Sequence, residues 1–208
     1  MLVVAALGLT LAPWTIRNYR VTGHFVPTTL WAGPSLYDAL SPQATGDSEM
    51  SFIERDGRYT REHGPDFEYA ADQFYRQRAL EFVRHNPLRT IVLALKKLGR
   101  FLNPFPNAGQ FQHWTIILGV GLFELPVLGL ALGAFWKERT NWRLCHLAAG
   151  PLVYFALVHS VFAGSVRYRL PAEYPLLVLT AIGLRWLLDE KARRFGWGLH
   201  HAGGAPRG

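Results

Sequence analysis

The sequence predicts a mainly α-helical, polytopic membrane protein with about four transmembrane helices and one extracytoplasmic, α-rich segment. Two observations carry that expectation. Charged residues crowd into residues 17–100 and into short runs near the C-terminus, and between them lie long blocks with almost none. The longest of these blocks, coiled as a helix at about 1.5 Å per residue, reaches across a hydrocarbon core of roughly 30 Å. Overall apolar content decides little, because soluble domains come close to it as well.

The first block, residues 1–14, is apolar throughout but extends only about 20 Å as a helix. It lacks the basic start of a secretory signal. Two readings remain: a short span that thins the bilayer, or the tail of a longer helix. The second fits the length better.

Residues 15–113 form the extracytoplasmic segment. Its first part, 17–66, is rich in Gly, Pro, Thr and Ser and reads as loops with short strands around 25–29 and 52–53. A helix follows over 66–85, where Ala71, Phe74, Tyr75, Arg78, Ala79, Phe82 and Val83 recur at three- and four-residue spacing. Asn86-Pro87 ends it, since a residue before proline is pushed out of the helical region. Pro87 then suits the first turn of a second helix over 87–102. Leu88, Ile91, Val92, Leu95, Leu98 and Leu102 form its apolar side, and Arg89, Lys96, Lys97 and Arg100 its cationic one. That is the pattern of a helix lying in the membrane interface, with both lysines at headgroup depth. As a spanning helix it would place the lysine pair at costly mid-depth.

Three further blocks predict transmembrane helices. Residues 115–136 carry Glu124 as their only charge, and 144–164 carry no Asp, Glu, Lys or Arg. Residues 172–188 have Arg185 near one end, where it can snorkel. Residues 189–208 are a cytoplasmic tail, glycine-rich from 196 onward and expected to lack order. Lys137, Arg139 and Arg143 fill one short loop, and Lys191, Arg193 and Arg194 follow the last block. The positive-inside bias puts both sites in the cytoplasm and leaves 15–113 and 165–171 outside.

Three groups carry possible chemistry. Trp14, Arg17, Asn18, Tyr19 and Arg20 sit at the outer mouth of the first block, where aromatic and basic anchors are common. Arg167 and Arg169 share a short outer loop, and a guanidinium grips phosphate oxygens at two points. The basic helix over 87–102, ending in Phe101, Asn103, Pro104 and Phe105, is the third. For all three, plain membrane anchoring is the competing reading, and for the first group taken alone it is the better one. Cys145 is the single cysteine and the eight histidines lack zinc-ligand spacing, so neither a metal nor a cofactor is expected. No phosphate-binding glycine loop or Gly-x-Ser-x-Gly elbow supports ATPase or hydrolase chemistry. The net charge of +7 comes without the basic stripe of a nucleic-acid binder. Anionic lipid or a phosphate-bearing substrate suits it better.

The run PWTIRNYRVTGHFVP at 13–27, GPSLY at 33–37, Asn86-Pro87, Lys97-Leu98, and RYRLP at 167–171 with Pro175 beyond it follow one another in order. In this the chain, up to about Leu188, resembles the C-terminal part of a GT-C membrane glycosyltransferase. The relatives are the family 39-like group that includes bacterial aminoarabinose transferases and Rgt-type sugar transferases. The resemblance implies attack of an acceptor hydroxyl on a sugar carried by a polyprenyl phosphate. Arg167 and Arg169, then Arg17 and Asn18, would bind the leaving phosphate, whose charge grows in the transition state. Its implied partners are a polyprenyl-phosphate-linked sugar and membrane lipids, and its implied location is the bacterial plasma (inner) membrane. The family's catalytic carboxylate lies in the first outer loop of a chain of about a dozen helices, and nothing here corresponds to that region. Asp38, Asp47 and Glu49 are acidic but lie in the wrong segment. The expectation is therefore a partial member with no catalytic residue of its own. A non-catalytic membrane protein that binds anionic lipid or a partner through residues 15–113 is the alternative. A transporter fits less well, lacking paired broken helices.

Overall fold

A computed structural model describes residues 2–56, 65–107, 109–163 and 168–194. The fold is mainly helical, without strands among the described residues. The chain divides into two compact units, one built from Met1–Asn103 with Ala156–Tyr168 and the other from Pro104–Phe155 with Arg169–Gly208.

The first unit opens with α1, Leu2–Thr22. This helix does not stop with the apolar run at Trp14. It continues through the polar residues after Pro13 because nothing from Trp14 to Thr22 breaks a helix. Gly23 ends it, taking the left-handed φ of 68° that glycine tolerates and donating its N–H to Tyr19 O at 2.9 Å. The strand expected at 25–29 is instead a loop. Two short helices follow, α2 (Ala32–Ala39) and α3 (Ser51–Asp56), and the second takes in the other expected strand.

α4 (Pro65–His85) and α5 (Pro87–Leu102) flank the Asn86-Pro87 break. α2 packs on α4 at Gly33, whose N–H donates to Asp72 Oδ1 at 2.6 Å. A Cβ at Gly33 would lie 2.0 Å from Asp72 O, so only glycine permits this approach. Ala39, Leu40, Ala79, Phe82 and Leu93 form the core between these helices. Tyr75, fully buried, lies against the rings of Tyr37 and Phe52. Arg78, counted with the apolar face of α4 on spacing alone, is exposed beside Phe74.

Lys97, expected at headgroup depth, is 0 % exposed, flanked on the buried face of α5 by Leu93 and Phe101. Leu88, Ile91, Val92, Leu95 and Leu102 are the exposed apolar side chains of a stripe along α5.

The second unit contains α6 (Trp114–Lys137), most of α7 (Trp142–Val161) and α8 (Leu170–Arg194). Ala131, Ala134, Ala148, Leu176 and Leu179 form its core. Small residues set the spacing: a Cβ at Gly183 would fall 2.4 Å from Leu130 O, so α8 meets the α6 backbone directly. Thr180 Oγ1 donates to Val127 O at 3.1 Å in the same contact. Against four expected crossings, two helices among the described residues, α6 and α7, are long and apolar enough to cross a membrane. Only 17 % of each apolar window is buried, and Leu122, Phe123, Leu147, Val153 and Leu157 are exposed. Core helices of a soluble domain would bury such residues.

Candidate functional site

The 13–27 motif folds back on itself. After Gly23 the chain returns along α1, and α1 side chains take up the carbonyls of the returning loop. Trp14 Nε1 donates to Thr28 O at 2.7 Å, and Thr15 Oγ1 donates to Pro27 O at 3.2 Å. Asn18 is buried, and its Nδ2 donates to Val26 O at 3.0 Å and to Thr28 O at 3.3 Å. These bonds explain why 25–29 is not a strand: the backbone partners that a neighbouring strand would supply are helix side chains instead.

The staple leaves a cavity of about 280 Å³ whose lining includes Trp14, Arg17, Asn18, Val26, Thr28 and Glu68. Arg17 stands at its edge, exposed, with its guanidinium 5.2 Å from the centre of the Trp14 ring and Nη1 3.4 Å from Asn18 Oδ1. Among the described residues, no carboxylate forms an ion pair with Arg17. Trp14 thus holds the cation by its ring face while Asn18 fixes the loop. Of the four residues expected at a phosphate site, Arg17 and Asn18 are brought together here. Glu68 is a lining residue that sequence spacing did not single out, because it reaches the cavity from α4, far along the chain.

Arg169 has a different environment, and Arg167 lies outside the described residues. Arg169 directly precedes α8, and its carbonyl accepts the N–H groups of Ala172 at 2.8 Å and Glu173 at 3.1 Å. Its side chain is 1 % exposed. Nη2 lies 3.2 Å from Glu124 Oε2, and Nε donates to Glu173 Oε1. A buried guanidinium needs such compensation, and two carboxylates supply it. Where an open phosphate ligand was expected, the structure has an ion-paired arginine joining α6 to the start of α8. Glu124, an isolated intramembrane charge in the sequence, is one half of that junction.

The basic helix α5 brings a third cation into view. Lys97 Nζ donates to Val161 O at 2.5 Å and to Ala39 O at 3.4 Å. These carbonyls belong to the last residues of α7 and α2, where helix dipoles favour a cation. Burial lowers the Lys97 pKa to about 8, with the nearby Asp38 opposing the shift. Asp38 itself, buried on α2, is raised above the ordinary carboxylate range chiefly by desolvation, though its Oδ1 accepts the Glu49 N–H at 2.8 Å. Beside it lies a cavity of about 30 Å³, room for little more than a water. Arg100 pairs with Asp47 at 2.6 Å, and Arg89 donates to Pro42 O at 2.5 Å. The cations of α5 thus tie the 39–47 loop to the helix. His159 stacks between Phe101, with ring centres 5.8 Å apart, and Tyr168, at 4.4 Å.

Among the described residues, no group of His, Cys, Asp or Glu is arranged to hold a metal. No protein-family model matches the chain, and no curated protein or solved structure matches it either.

Proposed function

We propose that this chain is a membrane-spanning protein whose Arg17 cavity takes the phosphate of a lipid-carried sugar, as the lipid-phosphate-binding part of a polyprenyl-phosphate-sugar-dependent glycosyltransferase. The reading places α1, α6, α7 and α8 across the plasma membrane of a bacterium, with α2–α5 on the outer side. One observation carries it. Arg17, at the polar end of an apolar helix, borders a cavity of about 280 Å³ and has no carboxylate partner among the described residues. A guanidinium so placed can give a phosphate two parallel hydrogen bonds. Trp14, Val21, Val26 and Leu30 offer apolar wall to the first carbons of a lipid. In a transfer step, negative charge would grow on the leaving phosphate, and a fixed cation beside it favours the transition state over the ground state. Arg169, already paired with Glu124 and Glu173, serves in this reading to join helices and not to hold ligand. The proposal assigns no catalytic base within the chain.

The test is binding of a polyprenyl phosphate to the full chain in detergent, read by native mass spectrometry. Arg17→Ala should weaken binding by about 10–100-fold, the range expected for a lost charge-assisted hydrogen bond. Arg17→Lys should restore part of it, keeping charge but losing the two-pronged geometry. Arg78→Ala, an exposed cation elsewhere, should change nothing. Equal binding by Arg17→Ala and the parent chain would falsify the assignment. A non-catalytic lipid-binding protein would share the cavity and the binding result, but would transfer no sugar when combined with any catalytic partner chain.

A further inference from the structure

α5 is built the wrong way round for a helix in water. At 3.6 residues per turn, Leu88, Ile91, Val92, Leu95 and Leu102 fall on one side, and Lys97 falls on the opposite one. The lysine side is the buried one, and the leucine side is open, with Leu88 79 % and Leu95 62 % exposed. Arg89 and Lys96, both exposed, lie along one rim of the stripe. The helix sequence, PLRTIVLALKKLGRFL, contains four cations and no Asp or Glu.

We propose that α5 docks on the surface of an anionic bilayer through this stripe, independently of what the Arg17 cavity binds. Three features select a bilayer as the occupant. Residues 103–113 tether α5 to α6, a helix apolar enough to cross a membrane, and fully extended they span at most about 40 Å. A stripe of about 100° flanked by Arg and Lys matches a helix sunk to the headgroup–acyl boundary, where leucines meet hydrocarbon and the rim cations meet lipid phosphates. A second copy fits poorly: an antiparallel two-fold pair meeting on this face would set Arg89 and Lys96 of both copies along one seam, with no acid on the helix to answer them.

The experiment uses the full chain with Cys145→Ser, reconstituted in phosphatidylcholine–phosphatidylglycerol nanodiscs. Nitroxide labels are placed singly at Leu88, Leu95 and, as an exposed site on α4, Gln77. Paramagnetic relaxation by oxygen, which enriches in lipid, is compared with relaxation by a water-soluble nickel chelate. The expected result is oxygen-dominated relaxation at Leu88 and Leu95 and nickel-dominated relaxation at Gln77. Nickel-dominated relaxation at all three sites overturns the proposal. So does dipolar broadening between labelled copies at Leu88 or Leu95, which would mean that a second chain covers the stripe. Adding Lys96→Gln should reduce the lipid-facing population at Leu95 by about fivefold, the effect of one rim cation on an anionic surface. An unchanged population would remove the anionic preference from the proposal.

Discussion

Lys97 shows how one side chain can organise the end of two helices. Its ammonium answers the C-terminal carbonyls Ala39 O and Val161 O while losing its own water. The folded pKa of about 8 lies below the ordinary 10.5, so between those values the unfolded chain binds more protons than the folded one. Stability from this group is therefore incomplete below pH 8 and rises as pH climbs from about 8 to 10.5. Relative to Lys97→Met, which cannot titrate, the parent chain should gain roughly 3 kcal/mol across that window, at about 1.4 kcal/mol per pKa unit. Thermal unfolding of both proteins at a series of pH values measures the difference. Parallel curves would mean that the ammonium is not desolvated as the geometry implies. The burial itself was readable in principle. Lys96 and Lys97 look like one basic pair in the sequence, yet 100° of helix rotation separates them, and only Lys97 stands opposite the leucine stripe. Arg169 was legible only in part: Glu173 lies four residues further along the chain, but its second partner Glu124 is distant in sequence.

Among the helices, those bounded by strong local signals were legible and those without them were not. α4 and α5 follow from three- and four-residue periodicity with a proline at the junction. α1 runs past its apolar stretch because the next helix breaker, Gly23, and not the loss of apolarity at Trp14, sets its end. α2 and α3 are too short for periodicity, and α2 falls in a Gly- and Pro-rich stretch that reads as loop, although proline is tolerated in a first helical turn. What fixes α2 is a tertiary fact, the approach of Gly33 to the α4 backbone. Gly33→Ala should force α2 away from α4, with loss of the 2.6 Å bond to Asp72 and a destabilisation of about 1–3 kcal/mol, the usual range for overpacking. Gly99→Ala is the matched control. Nothing lies within 4 Å of a Cβ at that position on α5, so it should be neutral or stabilise by up to about 1 kcal/mol through helix propensity. Thermal unfolding of the two variants compares them directly, and an equal effect from both would show that the α2–α4 contact is not close-packed.

For the molecule as a whole, the number and sense of the proposed membrane crossings follow from helix composition and loop charge. Among the described residues, length and apolarity single out α6 and α7, while α1 carries charge toward its C-terminal end and α8 carries Glu173 in its first turn and a charged run from Arg185 onward. Each of the four has an internal proline, at Pro13, Pro126, Pro151 and Pro175. Such prolines cost a helix in water about 3 kcal/mol, but membrane helices tolerate them because neighbouring groups satisfy the freed carbonyl. That shared feature supports treating the four alike. Lysine and arginine then set the sense: Lys137, Arg139 and Arg143 lie in or beside the short α6–α7 turn, and Lys191, Arg193 and Arg194 close α8. In the proposed four-crossing arrangement these two sites would share the cytoplasmic face and α2–α5 would lie outside. In the Cys145→Ser background, a membrane-impermeant maleimide applied to intact cells should modify Glu54→Cys on α3 and spare Thr140→Cys in the turn until the membrane is opened. Both positions are exposed in the fold, so lack of labelling at either reports the membrane and not burial. Labelling of Thr140→Cys alone would invert the protein. Labelling of both from outside would mean that α6 does not cross, and the four-helix arrangement would then fail.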